Sequence, residues 1–408
     1  MNGYFLIIIS SIVGGVSFVF YVFNSYMAYN YKNKFTNPEK PDKKEVTVVV
    51  PVYNEGRKAF EKCIESISKQ NTEFIVACDY HKEPYSSITK KYGGNFIFNE
   101  KRGSKRAAMA TALGSVNTKY VLFVDSDTTL PMNTLESMLS KMSPEIGGVG
   151  TSITVRLEDN WISYCSEFFQ KAKELVFKTM SFSGYIFVLG GRCALYRTDL
   201  IKDFVQSNEF LNDKAFGKRV LISEDTHLTG YVLKHNYKVV IDYDVVVETE
   251  SQKSMDKMFK QVVRWARGSY IYFFKDIADG SQMKRGLMYS FEMFYTYLIP
   301  IAILTLGILR FNFLLNYGVL NIFTNGITGI TNYIFIGVKS FGAMRIVSTI
   351  SIILGAISTV IFLVILSFSM TRKKLKTIVA GGVMSVILLV ATLYALFTIW
   401  EQEDWLTR

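Results

Sequence analysis

Apolar positions fall into three regimes along the chain. Tyr4 through Phe23 is an uncharged apolar stretch, long enough to span a bilayer. From Glu45 onward short β-branched runs alternate with helix-like stretches. Beyond Leu287 long apolar runs return at residues 287–309, 345–368 and 377–400. A weaker run at 312–337 is interrupted by Asn316, Asn321, Asn325 and Asn332. No basic segment precedes the first stretch and no small-residue cleavage site is clear, so an uncleaved anchor is expected rather than a secretion signal. Lys32, Lys34, Lys40, Lys43 and Lys44 follow it, which places that side in the cytoplasm.

The alternating region predicts an α/β domain. Val46-Thr47-Val48-Val49-Val50 reads as a first strand, ended by Pro51, which cannot donate to a ladder. Glu73 to Asp79 reads as a second strand, Asn95 to Asn99 as a third and Val121 to Val124 as a fourth. Strands alternating with helices imply a mostly parallel sheet with right-handed crossovers. The strands' carboxyl ends would then gather Glu55, Asp79, Lys105 and Asp125 along one rim, where open α/β sheets bind ligands.

The fourth strand ends in Asp125-Ser126-Asp127. Residues two apart share a face of an extended chain, and two adjacent carboxylates repel unless a cation or proton joins them. A divalent ion shared with a substrate diphosphate satisfies that need; a solvated loop is the bland alternative. Lys101-Arg102-Gly103-Ser104-Lys105-Arg106 opens the helix after the third strand, a natural diphosphate site or a solvated basic turn. Gly190-Gly191-Arg192 admits close approach of a ligand to the backbone, with Arg192 placed to meet an anion, or is a glycine turn between core segments. Ser223 is a candidate N-cap ahead of Glu224 and Asp225, which are either partners of the helix dipole or a general base. Ser254 to Phe274 mixes Met258, Val262, Trp265 and Tyr270 with Lys257, Lys260, Arg264 and Arg267, a basic amphipathic helix suited to a membrane surface. Gln261, Arg264 and Trp265 share one face, and the indole suits a sugar ring or an interfacial anchor.

Composition changes the picture little. Apolar residues make up 49% and aromatic residues 14%, and their uneven placement is that of a membrane protein with a large water-facing domain. The net charge of +11 suits cytoplasmic loops, an anionic substrate or acidic lipid headgroups; no nucleic-acid-binding motif accompanies it. Cys63, Cys78, Cys165 and Cys193 lack paired spacing and only three histidines occur, so free thiols in a reducing compartment are expected and a zinc site is not.

The ordered set DSD (Asp125–Asp127), SEDTHLTG (Ser223–Gly230) and QVVRW (Gln261–Trp265), with the membrane helices, resembles family-2 processive glycosyltransferases such as the hyaluronan, chitin and cellulose synthases. GGRCALYR and the terminal DWLTR look nearest to hyaluronan synthases and to the pneumococcal type 3 capsular polysaccharide synthase. The resemblance implies a GT-A-like α/β catalytic domain plus an α-helical transmembrane region. It implies that Tyr53, Glu55, Asp79, Lys105 and Asp125 hold a UDP-sugar. Asp127, with Asp125, would hold Mg²⁺ or Mn²⁺. Asp225 would be the base beside Glu224; Gln261, Arg264, Trp265 and Arg192 would line the acceptor site, and Trp405 and Arg408 would close over the nucleotide. Asp79 departs from the family in lying within CDYHKE rather than DDGS, and Leu406 stands where the family has glycine.

The expected organisation is a transmembrane helix (1–28), a cytoplasmic catalytic domain (29–250), an amphipathic interface region (251–285) and C-terminal membrane helices with a gating segment (286–408). The expected product is a β-linked extracellular polysaccharide, made at the plasma membrane by a multi-pass protein whose partners are UDP-sugars, the growing polymer and the bilayer, with room for a homo-oligomer and no nucleic acid. Placing Trp405 in the cytoplasm requires an even number of spans after the catalytic domain, and counting four puts Arg372, Lys373, Lys374 and Lys376 outside, against the positive-inside rule. Three rival readings stand: a non-processive lipid glycosyltransferase, a chitin-like or glucan synthase using one donor, and a catalytically silent polysaccharide-binding subunit.

Overall fold

The computed structural model describes residues 3–37, 39, 41–79, 81–100, 103–317, 324–328, 342–370 and 373–402. Two compact units are distinguished, one of Met1–Asn30 and Ser290–Lys374, the other of Tyr31–Tyr289 and the chain from Leu375.

The larger unit is built on seven strands: β1 (Val46–Val52), β2 (Glu73–Cys78), β3 (Asn95–Phe98), β4 (Tyr120–Val124), β5 (Ile146–Val155), β6 (Cys193–Arg197) and, after a small ribbon of β7 (Lys214–Ala215) and β8 (Lys218–Arg219), β9 (Lys238–Thr249). Their order is β3-β2-β1-β4-β6-β5-β9. The sheet is parallel throughout except at β6, which runs antiparallel to both neighbours. Every residue of β1 and β4 is buried, as expected for strands covered on both faces, and this explains their unbroken apolar runs. Each fully buried valine contributes about 1.5–3 kcal/mol.

Crossover helices are α2 (Arg57–Ser68), α3 (Tyr85–Lys91), α4 (Lys105–Gly114), α5 (Thr134–Leu139) and the long α6 (Trp161–Ser183), followed by α7 (Thr198–Gln206), α8 (Asn208–Leu211) and α9 (Glu224–Lys234). Contrary to the sequence expectation, β1 does not stop at Pro51. Its ladder to β4 ends at Val49 opposite Phe123 while pairing with β2 continues to Val52 opposite Cys78. Proline therefore sits where only one side of the strand is paired. The second and third strands end one residue earlier than expected, leaving Asp79 and Asn99 just beyond the ladder.

Helix α10 (Met255–Ala278) and the short α11 (Ser281–Lys284) complete the run of this unit before its return in α14 (Lys374–Phe397). Part of the apolar stripe of α10 faces inward. Met258, Val262 and Tyr270 are buried within the unit, because the helix packs against α9 and the cleft wall. Helix α14 lies against α6. An added Cβ on Gly381 would fall 2.3 Å from the Phe168 ring, and the Cys165 thiol donates to the Ala380 carbonyl at 3.4 Å.

The smaller unit holds α1 (Gly3–Tyr29), most of α12 (Leu287–Tyr317) and α13 (Gly342–Ser369). Phe20 stacks on Tyr295 at 3.7 Å between centroids, and the Asn24 amide donates to both oxygens of Glu292 at 2.9 and 3.1 Å. Helices α1, α12, α13 and α14 each contain a stretch long and apolar enough to cross a membrane: Ile8–Tyr29, Leu287–Leu309, Thr349–Ser369 and Lys374–Phe397. The weaker stretch at 312–337 falls largely outside the described residues, as do Lys40, Lys101, Arg102 and Arg372.

Candidate active site

Strand polarity assembles the site. Strands β1, β2 and β4 end on one rim and deliver Tyr53 and Glu55, Asp79, and Asp125 there. Because β6 is antiparallel to β4, with Cys193 opposite Val124, its amino end lies beside those carboxyl ends. Gly191 and Arg192 thereby enter the same rim, and the Asp125 amide donates to the Arg192 carbonyl at 3.1 Å.

The centre of the arrangement is Lys105 in the first turn of α4, whose N-cap Ser104 accepts from the Ala107 amide. Its ammonium donates to Asp125 Oδ1 at 2.6 Å and lies 2.7 Å from Glu224 Oε1. Burial disfavours the charged lysine, but the two carboxylates outweigh it and raise its pKa. Burial likewise opposes ionisation of Glu224, and Lys105, helped by Arg106, overcomes it and brings the carboxyl down to about 2. Asp225 behaves in the opposite sense. Burial first, then the charge of Glu224, raises its pKa despite Lys105. Two adjacent carboxyls are thus driven apart, an arrangement that serves to assign acid and base roles.

Asp225 is held from three sides. Its Oδ1 accepts from the Thr226 amide at 2.8 Å, its Oδ2 from the Gly191 amide at 3.3 Å, and its carbonyl from the Thr229 hydroxyl at 2.7 Å. The Thr229 hydroxyl also accepts from the Leu189 amide, so the 185–192 loop is tied to α9. Gly191 requires its missing side chain. An added Cβ would lie 2.9 Å from Lys105 Nζ, 3.7 Å from Asp225 Oδ2 and 3.8 Å from Asp125 Oδ1.

Ser223 holds the N-cap position of α9 but does not cap it. It adopts a left-handed conformation (φ 58°) with no side-chain hydrogen bond to the helix. Its hydroxyl packs instead against Gly268 of α10, where an added Cβ would fall 1.7 Å from it. A tertiary contact has displaced the local cap. Behind the site the fully buried Arg106 donates to the carbonyls of Phe210 and Ile222 and to the Tyr272 hydroxyl. Burial, then Arg106, holds His227 beside it down to about 3.

The remaining sequence candidates divide in two. Glu55 accepts from the Ser126 hydroxyl at 3.3 Å, linking the first strand's end to the DSD turn, and half-buried Tyr53 and Asp127 lie on the same rim. Asp79 accepts from the Gly103 amide at 2.8 Å, which fixes the entry to α4. Gln261, Trp265 and Arg192 line one cleft together with Phe169, Gln170 and Met384; Trp265 stacks on Phe169 at 5.7 Å and 14°. Arg264 is half-buried and is not among that cleft's lining residues. Trp405 and Arg408 lie outside the described residues.

The sequence reading missed Phe169, Gln170 and Lys173. Their helical spacing on α6 was visible, but nothing local showed which face of a 23-residue helix would border the rim.

Comparison with known proteins agrees with this geometry. Residues 41–268 match the model of the "Glycosyltransferase like family 2". An N-acetylglucosaminyltransferase of Azorhizobium caulinodans is 28% identical over 256 residues, 59% of this chain and 63% of that protein. A type 2 glycosyltransferase of Pyricularia oryzae is 24% identical over 72% of this chain and 63% of its own length. The chain thus spans less than two thirds of these curated relatives. The solved structure of the mannosyltransferase PcManGT from Pyrobaculum calidifontis, in complex with GDP-Man and Mn²⁺, superposes with a TM-score of 0.58 at 16% identity, covering 87% of this chain and 99% of that one. It shares the fold. With more than half of its length matched, the chain belongs to the glycosyltransferase-like family 2.

Proposed function

We propose that this protein is an inverting, processive glycosyltransferase that polymerises UDP-sugars into a β-linked extracellular polysaccharide and exports it through its own membrane helices. The observation that carries the sugar-transfer reading is the convergence at Gly191 of the Lys105–Asp125 pair and Asp225, packed so closely that only a glycine backbone fits between them. A donor bound along the rim beside this cluster would have its diphosphate near Lys105 and its anomeric carbon facing Asp225. The acceptor hydroxyl gives its proton to Asp225 as its oxygen attacks; the bond from the anomeric carbon to the diphosphate breaks, and UDP leaves with the electron pair. In-line displacement turns an α-linked donor into a β-linked product.

The residues present fit a hard divalent ion. Lys105 is already engaged by Asp125 and Glu224, so an arriving diphosphate beside Asp125 and Asp127 would need a further cation. Among the described residues no group of three or more His, Cys, Asp or Glu side chains could hold an ion alone, so substrate phosphates would complete the shell. Mg²⁺ or Mn²⁺ on Asp127 and Asp125 would neutralise charge on the departing diphosphate; the Mn²⁺ of the mannosyltransferase of like fold supports this. Tyr53, Glu55 and Asp79 would hold the nucleotide, Trp405 and Arg408 would close over it, and Gln261, Arg264 and Trp265 would bear the acceptor. The N-acetylglucosaminyltransferase relatives favour UDP-N-acetylglucosamine as one donor, and the four apolar helices favour a polymer that leaves through the membrane.

The test is UDP release by the purified full-length chain with Mg²⁺ or Mn²⁺. UDP-N-acetylglucosamine, UDP-glucose and UDP-glucuronate are supplied singly and in pairs, and the product is sized. Long polymer from a pair of donors, or from one, upholds processive synthesis and sets its class. A single-sugar, lipid-extractable product replaces it with lipid glycosylation, and no UDP release from any donor refutes sugar transfer.

A further inference from the structure

Two cations near the site lack a hydrogen-bonded or ion-paired partner among the described residues. Lys173 and Arg192 side chains make no hydrogen bond or ion pair to any described residue, although the neighbouring Lys171 and Lys178 both pair with Glu174 at 3.0 and 2.9 Å. The Lys173 ammonium lies over the Phe177 ring, 5.4 Å from its centroid. Lys173 lines a cleft with Ser152, Phe177 and Gly190, and Arg192 lines the adjoining cleft of Gln261 and Trp265. Gln170 belongs to both. It is only 4% exposed, and its Oε1 has no hydrogen-bond partner.

A buried, unpartnered amide oxygen is costly, and two like charges beside one another add to that. Burial, then repulsion from Arg192, holds the Lys173 ammonium down to about 8, with Asp225 and Glu174 opposing. Such a cluster is suited to receive an anionic ligand that also donates a hydrogen bond. The nucleotide diphosphate is a poor candidate for that ligand, since Lys105 on the other side of Gly191 already faces its place. What the clefts adjoin is the Trp265–Phe169 platform, and the Lys173 ammonium feels the charge of Asp225.

We propose that Gln170, Lys173 and Arg192 form an acceptor subsite, in which the two cations bind an anionic group, a carboxylate or a phosphate, and the Gln170 carbonyl accepts from a hydroxyl of the same molecule. This rests on the sugar-transfer reading above and deepens it, because the relatives' names say nothing of a charged acceptor. The anion is either the uronate of a saccharide end or the phosphate of a lipid acceptor. The cation pair reads their shared chemistry.

The experiment uses the full-length protein in detergent. Four probes are titrated while following Trp fluorescence and heat: a glucuronate-terminated disaccharide, the same disaccharide with its carboxyl reduced, a short prenyl phosphate and the matching prenyl alcohol. The wild type is expected to bind one anionic probe at least tenfold more tightly than its neutral counterpart, and the pair that shows the preference identifies the source. Lys173→Met and Arg192→Met should each abolish the preference, Lys173→Arg should retain it, and the Kd for UDP should stay the same in all three. No preference in the wild type, or a loss of UDP affinity in Lys173→Met equal to the loss for the anionic probe, overturns the subsite. Binding is read without turnover, so absent UDP release would refute sugar transfer while leaving this comparison to judge the subsite.

Discussion

The Lys105 ammonium lies 2.7 Å from Glu224 Oε1, joining the first turns of α4 and α9 across the rim. The same ammonium holds Asp125. One cation therefore keeps two carboxylates in place, while burial and the Glu224 charge raise the pKa of the neighbouring Asp225.

Lys105→Met should destabilise the protein by about 3–5 kcal/mol, the usual cost of leaving a buried carboxylate unpaired, and should abolish sugar transfer. Thermal unfolding at neutral pH measures the first and UDP release the second. The contribution of Glu224 has a defined pH window. Its folded pKa lies below its ordinary value, so its stabilisation is complete above about 4.5 and is lost as pH falls toward about 2. Asp225 works in the other direction and shallows the loss. A Lys105→Met protein as stable as the wild type would remove the pair from the account of this fold.

Asp225→Asn should lower kcat by about 10³-fold with the Kd for UDP little changed. In the wild type kcat/KM should fall with acid through a pKa above the ordinary aspartate value, because the base must be deprotonated to work. Removing its charged neighbour in Glu224→Gln should move that limb to lower pH. A limb that moves to higher pH would contradict the assigned roles.

Gly191→Ala places a methyl group 2.9 Å from Lys105 Nζ. The lysine is pinned by two carboxylates and cannot yield without displacing them. A drop in kcat/KM on the order of 10²-fold is expected, as for other small misplacements, with the melting temperature nearly unchanged. Wild-type kinetics in this variant would show that the close approach at Gly191 does not matter to turnover.

Trp265→Ala should raise the acceptor KM about tenfold, equivalent to about 1.4 kcal/mol of lost contact, while the donor KM stays constant. The two constants are separated by varying each substrate in turn. Equal changes in both would place the indole elsewhere in the reaction.

Arg267 is buried and donates to the Thr398 hydroxyl and the Glu401 carbonyl, and it pairs with the Glu401 carboxylate. Arg267→Ala should release the end of α14 and expose Phe397 and Trp400 to chymotrypsin; Arg267→Lys, which keeps charge but loses the fork, should lie between. Identical digestion patterns in all three proteins would mean that other contacts hold this end.

Much of the rim could be read from the chain because parallel strands with apolar runs announce where they end. Val124-Asp125 is such an end, and Glu55 and Asp79 follow from the same logic. What could not be read was partnership. Lys105 could be read as a phosphate ligand but not as the partner of Glu224, which α9 brings to it from more than a hundred residues later. Gly191 could be read as a point of ligand approach or as a turn, but only the reversed direction of β6 places it between Lys105 and Asp225. Ser223 carries every local mark of a cap, and only the presence of Gly268 on α10 explains why it does not act as one. The α6 residues Gln170 and Lys173 carry no motif, since their meaning depends on which side of a long helix meets the sheet.

Helix α14 is long and apolar enough to cross a membrane, yet from Leu375 onward it belongs to the unit that carries the rim. Its Met384 lines the same cleft as Trp265 and Gln261. A saccharide resting on that indole would already touch the wall of a membrane-length helix. The handover from synthesis to departure would then begin within the unit that carries the rim, on the same helix that could lead away from it.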